Sequence, residues 1–120
     1  GSGILKVQSN GVTTNALAWV NFNGTGTVAI RSAYNVSSIT DNGTGDYTVN
    51  FTNPTSDANY SSTVSVSGNF GVAVVWAMIN TNASGLVEAA PTTTAMRFVV
   101  ANSAGTYYDV KYASVAIFGN

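Results

Sequence analysis

The sequence predicts an all-β domain: an antiparallel sandwich or jelly-roll-like fold of about seven to eight short strands. Three observations predict it. Apolar residues recur with a period near two, the spacing of a half-buried strand. Clusters of Asn, Asp, Ser and Gly separate the alternating runs and supply turn chemistry. No window of about eleven residues or more carries a helical stripe of period 3.6.

Taken in order, Ala18, Val20 and Phe22 alternate with Trp19, Asn21 and Asn23, and Asn23-Gly24-Thr25-Gly26 turns the chain into a run from Thr27 to Ala33. Val36 and Ile39 on one arm, and Tyr47, Val49 and Phe51 on the other, flank Asp41-Asn42-Gly43-Thr44-Gly45-Asp46. That is the clearest hairpin, because Asn, Asp and Gly accept the positive φ a tight turn needs. Tyr60 leads to Val64 and Val66, alternating with Thr63, Ser65 and Ser67. Met96, Phe98 and Val100 mark one late strand, and Tyr108, Val110 and Tyr112 another. Val115 and Ile117 fall in the opposite phase, which predicts a bulge or bend around Ala113-Ser114. Thr13 to Leu17 and Asn82 to Ala90 are each long enough for a single helical turn.

The run Val72 to Ile79 is apolar on both faces, whereas a strand in a small sandwich has one wet face. Either it is a central strand with a loop over its second face, or its small residues Ala73, Val75 and Ala77 meet another subunit. Trp19 raises the same question, since alternation sets it opposite Val20 and Phe22. Trp19, Val75 and Ala77 are therefore the candidate oligomer-interface residues.

The 120 residues fit one domain. Gly1-Ser2-Gly3 reads as a cloning scar, leaving residues 4–120 as a single β domain cut from a longer protein. No apolar run reaches the ~20 residues that span a bilayer, so a soluble domain with no membrane insertion is expected. Charged residues make up only 8%, against roughly 25% in an average domain. Net charge is −1 and the basic residues Lys6, Arg31, Arg97 and Lys111 are scattered. Without a basic patch there is no electrostatic footprint for nucleic acid. Near-neutrality also does little to oppose self-association.

The chain has no His and no Cys, which excludes a Ser-His-Asp triad, a Cys/His nucleophile and the usual zinc site. No catalytic residue, metal or cofactor is expected, and the chain is not expected to be an enzyme. Asp41 and Asp46 are the one close carboxylate pair. They suit a calcium loop or, more simply, hairpin-turn chemistry, since the loop lacks the length and closing Glu of an EF-hand. Gly24-Thr25-Gly26 and Gly43-Thr44-Gly45 precede neither a Lys nor a helix, so they read as turns rather than phosphate loops. The remaining handles are aromatic. Tyr34 lies in a polar bend, and Tyr107 alternates in phase with Asp109 and Lys111. Flat rings beside neutral hydrogen-bonding groups suit sugar recognition or a protein interface, making Tyr34, Tyr107 and Asp109 the candidate ligand-binding residues.

The stretch Ala18-Trp19-Val20-Asn21-Phe22-Asn23-Gly24-Thr25-Gly26-Thr27-Val28-Ala29-Ile30-Arg31 resembles a motif of phage tail-fibre proteins, those of marine phages in particular. The likeness continues through Tyr34 to Phe51 and includes Asp57-Ala58-Asn59-Tyr60. It covers about residues 18–60 closely and the rest in style. It implies the C-terminal receptor-binding domain of a homotrimeric fibre on the virion. Such a domain is exposed outside the cell and adsorbs to a bacterial surface polysaccharide or outer-membrane protein. A structural trimerisation or decoration domain without receptor contact, and a carbohydrate-binding module, are the alternatives.

Overall fold

The computed structural model describes residues 7–10, 12–71 and 73–120. Gly1-Ser2-Gly3, read as a scar from the sequence, and Val72 of the apolar run lie outside the described residues. Among the described residues nine strands follow in order: β1 (Val7–Ser9), β2 (Val12–Asn23), β3 (Ala29–Tyr34), β4 (Val36–Gly43), β5 (Asp46–Phe51), β6 (Ser61–Val66), β7 (Trp76–Ile79), β8 (Ala95–Ala101) and β9 (Ala113–Gly119). No helix occurs among the described residues. Eight of the strands form a β-sandwich of two antiparallel leaves. The first is ordered β3-β2-β9-β6 and the second β4-β5-β8-β7, with β1 pairing only the start of β2.

The inward phase of each strand makes the core. Ala18, Val20 and Phe22 of β2 and Ala113, Val115 and Ile117 of β9 face Tyr47, Val49 and Phe51 of β5 and Met96, Phe98 and Val100 of β8. Three rings lock the centre. Phe22 meets Tyr47 edge-on at 5.3 Å between centroids, and Phe98 lies 5.5 Å from Tyr47 and 6.2 Å from Phe22. Such tilted contacts let the edge of one ring meet the electron-rich face of another. Truncating Phe98 to Ala should cost about 3–5 kcal/mol in transfer and cavity terms. Val36 and Ile39 are three apart, which strict alternation would send to opposite faces. A bulge between Val36 and Ser38 absorbs the extra residue, and both pack on the core.

Four sequence expectations are corrected. Thr13 to Leu17 continues β2 rather than forming a helical turn. The β-branched pair Val12-Thr13 fits that extension. Residues 108–112 are not a strand, because their backbone groups serve separate neighbours: Tyr108 N–H donates to Val100, Gly24 N–H to Val110 and Ser67 N–H to Tyr112. Val110 alone of the three apolar positions is buried, and the expected bend at Ala113 is where β9 starts. The apolar run before Ile79 yields only the four-residue β7, at a sheet edge rather than its centre. The outer face that is covered belongs instead to β8. Val99, paired with Asp46, is fully buried where Ala83 reaches over to the Asp46 carboxylate.

Candidate binding surface

Strand β2 passes at its N-terminal end beside the crossover from β3 to β4, where the chain changes sheets through Asn35. Asn35 takes a positive φ of 55°, a conformation Asn tolerates better than most residues. Its side chain fixes the crossover. Nδ2 donates to Leu17 O at 2.9 Å and Asn53 O at 3.2 Å, while Oδ1 accepts from Asn53 N–H at 2.8 Å. Ala16 and Leu17, Tyr34 and Asn35, the 52–56 loop and Asn120 together wall an open cleft of ≈ 580 Å³. That lies within the range of about 300–1,000 Å³ usual for small-ligand pockets. Every lining side chain is uncharged.

Tyr34 is 49% exposed and stands directly across the β2–β3 ladder from Trp19, which is 40% exposed on the outer face of the first sheet. Trp19 borders a second, shallower depression of ≈ 380 Å³, floored by Thr63, Ser65, Ser114 and Ala116. Two adjacent aromatic side chains thus border two neutral hollows.

The other expected ligand residues stand elsewhere. Asp109 lies by Gly24 and Gly45, at the opposite end of the sandwich from Tyr34. The five steps from Trp19 to Gly24 alone span roughly 17 Å of extended chain. Its Oδ1 accepts from Tyr47 Oη at 2.8 Å and from Gly45 N–H at 2.9 Å. Tyr47 Oη also lies 3.0 Å from Gly24 O. Burial, and then the neighbouring Asp109 carboxylate, push the Tyr47 phenol well above its ordinary value. Asp109 therefore holds a turn to the core rather than facing a ligand. Tyr107 is half-buried and bridges Ala101. The sequence placed Tyr34 with Tyr107 and Asp109, and the fold separates them.

The carboxylates of the β4–β5 hairpin are likewise committed. Asp41 Oδ1 accepts from Gly43 N–H at 3.0 Å. Asp46, 2% exposed, binds Arg97 through two bonds of 2.8 Å and accepts from Ala83 N–H at 2.9 Å. Burial alone would raise its carboxyl, yet these donors and the Arg97 charge outweigh burial and hold it below the usual range. No local pattern marks this pair, because residues 46 and 97 meet only through the β5–β8 register.

The expected interface residues divide by phase. Val75 and Ala77 are half-buried and pack against their own core, so they do not face outward as the sequence reading had them. Val74 and Trp76, in the opposite phase, are 79% and 53% exposed. Before them a tight hairpin between Asn69 and Ala73 carries the exposed Phe70 near its tip.

No family model matches this chain, and neither a curated protein nor a solved structure matches it.

Proposed function

We propose that this chain is the receptor-binding domain of a phage tail fibre, carried on the virion as a homotrimer and exposed outside the cell. In this reading it adsorbs to a polysaccharide or outer-membrane protein of a bacterial host and works by binding, not catalysis. The observation that carries the reading is that both tryptophans of the chain, Trp19 and Trp76, stand outward and exposed. A Trp left in water forgoes a large burial gain, so two of two placed outward favour a surface built to be covered. The tail-fibre-like stretch also runs from within β2 through β5 and includes Trp19, Tyr34 and the crossover residue Asn35.

The copies meet, in this reading, along the β7 edge through Phe70, Val74 and Trp76. From Asn69 to Ile79 there is no charged residue; the nearest cations by Phe70 are Arg31 and Lys111, stacked over the Tyr112 ring that Phe70 meets. β7 is also an edge strand without Lys or Pro, which favours pairing with another chain. That edge equally favours a second reading, a trimerisation or decoration domain that never touches a receptor. Binding of the fluorescently labelled domain to a panel of marine bacteria separates the two. Adhesion lost after periodate treatment of the cells identifies a glycan receptor, and adhesion lost after protease a protein. No adhesion to any strain refutes receptor binding and leaves the structural reading.

A further inference from the structure

The cleft between Tyr34 and the 52–56 loop has a wholly uncharged side-chain lining. Tyr34 Oη, the Thr52 hydroxyl and the Asn53 amide make no hydrogen bond within the described residues, although they line the same cleft. The backbone that carries them is held in place. Asn35 ties Leu17 to Asn53 through its side chain, and its own carbonyl accepts from Thr52 N–H at 3.1 Å. The braced backbone fixes where the three polar groups start from, so binding must order their side chains but not the wall that carries them.

From this arrangement we infer that the cleft binds a neutral saccharide, an uncharged hexose or N-acetylhexosamine unit; the inference rests on the adhesive reading above. Amides and hydroxyls donate and accept together, as sugar hydroxyls do. The Tyr34 ring and Pro54 offer apolar surface to the C–H face of a pyranose. A charged ligand would lose hydration with no countercharge in the lining, and a purely apolar one would bury the three free groups unpaired.

The test is an NMR titration of the folded domain with glucose, galactose, mannose, N-acetylglucosamine and glucuronic acid. The expected result is millimolar binding of one or more neutral sugars, shifting the Asn35 and Asn53 side-chain amides. Glucuronic acid is expected to bind at least tenfold more weakly. Tyr34→Ala and Asn53→Ala, both at exposed positions, should each weaken binding at least tenfold while leaving the circular dichroism unchanged. No binding by any neutral sugar, or shifts confined to residues outside the cleft, overturns the inference. The same variants in the bacterial assay keep the two claims apart. Variants that keep both adhesion and sugar affinity refute the cleft and leave adhesion standing. Sugar binding without adhesion to any strain supports the cleft and refutes the receptor reading.

Discussion

Replacing Asp46 by Asn tests the ion pair that ties β5 to β8. Four donors converge on this carboxylate. Arg97 Nε and Asn42 Nδ2 approach Oδ1, at 2.8 and 3.4 Å, and Arg97 Nη2 and Ala83 N–H approach Oδ2, at 2.8 and 2.9 Å. Asn keeps one acceptor and turns an NH2 toward two of those donors. Breaking a buried pair by removing one charge costs about 3–5 kcal/mol. The Arg97 side chain keeps 34% of its surface exposed and can rehydrate, which lowers the expected loss to about 2–3 kcal/mol. With about 250 cal/mol/K of unfolding entropy for this length, melting should fall by roughly 8–12 °C at pH 7. The pH dependence follows from the depressed carboxyl. The unfolded Asp takes up its proton near about 3.9, the folded one only at lower pH. The contribution is therefore complete above about pH 5 and disappears as pH falls through the folded value. Thermal and urea melts by circular dichroism from pH 7 to 2 measure the gap between wild type and variant. A gap below about 0.5 kcal/mol at pH 7, or one equally wide at pH 2, refutes the ionic account.

Other perturbations probe the remaining devices. Gly45 and Gly26 share a positive φ, 67° and 59°, but a Cβ on Gly45 would sit 2.6 Å from Val100 O while one on Gly26 meets nothing within 4 Å. Urea melts should give Gly26→Ala a cost of about 1 kcal/mol and Gly45→Ala at least ~3, and equal costs would dismiss the crowding argument. Burial pushes the Tyr60 phenol up to about 12, and that of Tyr47 is raised further still. The stability both provide is full below about pH 10 and lost as pH rises through their folded values. Tyr47→Phe with Tyr60→Phe should flatten the alkaline limb of a stability-versus-pH curve; an unchanged limb contradicts the assignment. Asp109→Ala should cost about 1–3 kcal/mol in a urea melt by orphaning Gly45 N–H and leaving Tyr47 Oη with Gly24 O alone, with sugar affinity unaltered in the NMR titration. Trp76→Glu should lower the particle mass seen by light scattering, and an unchanged oligomer moves the interface off β7.

Much of the fold was legible because the inward phase of a strand is written locally. Val20 and Phe22, Tyr47 and Val49, and Met96 and Phe98 are all read by alternation and all lie in the core. Where alternation failed, a neighbour distant in sequence decided. Val110 is buried although its segment is not a strand, since its carbonyl is needed by Gly24 across the sandwich. The phase of β7 was ambiguous because Val74, Val75, Trp76 and Ala77 are all apolar, and hydrophobicity cannot choose a face when both alternatives are equally apolar. Tyr34 was found from its polar bend. Its partners Asn35, Thr52 and Asn53 were not, for neutral polar residues abound in this chain and nothing local marks three of them as neighbours.

The low charge of the chain links its two outward surfaces. A surface solubilised by Asn, Ser and Thr loses less hydration on contact than one bearing ammonium and carboxylate groups, whose desolvation costs several kcal/mol each. That favours close approach to an uncharged partner at either place. What separates the surfaces is their hydrogen-bonding character. The β7 edge presents Phe70, Val74 and Trp76, with little to direct a polar ligand, and suits a second apolar surface. The Tyr34 cleft presents three directional groups on a braced wall and suits a ligand rich in hydroxyls. If both surfaces act, oligomer formation along β7 would multiply weak contacts at the cleft. Avidity could then exceed single-site affinity by about 10²–10⁴ where the geometry permits simultaneous engagement. Millimolar binding by one domain would then be enough for firm adhesion by the assembly, and Trp76→Glu should weaken adhesion to cells while leaving monosaccharide affinity unchanged.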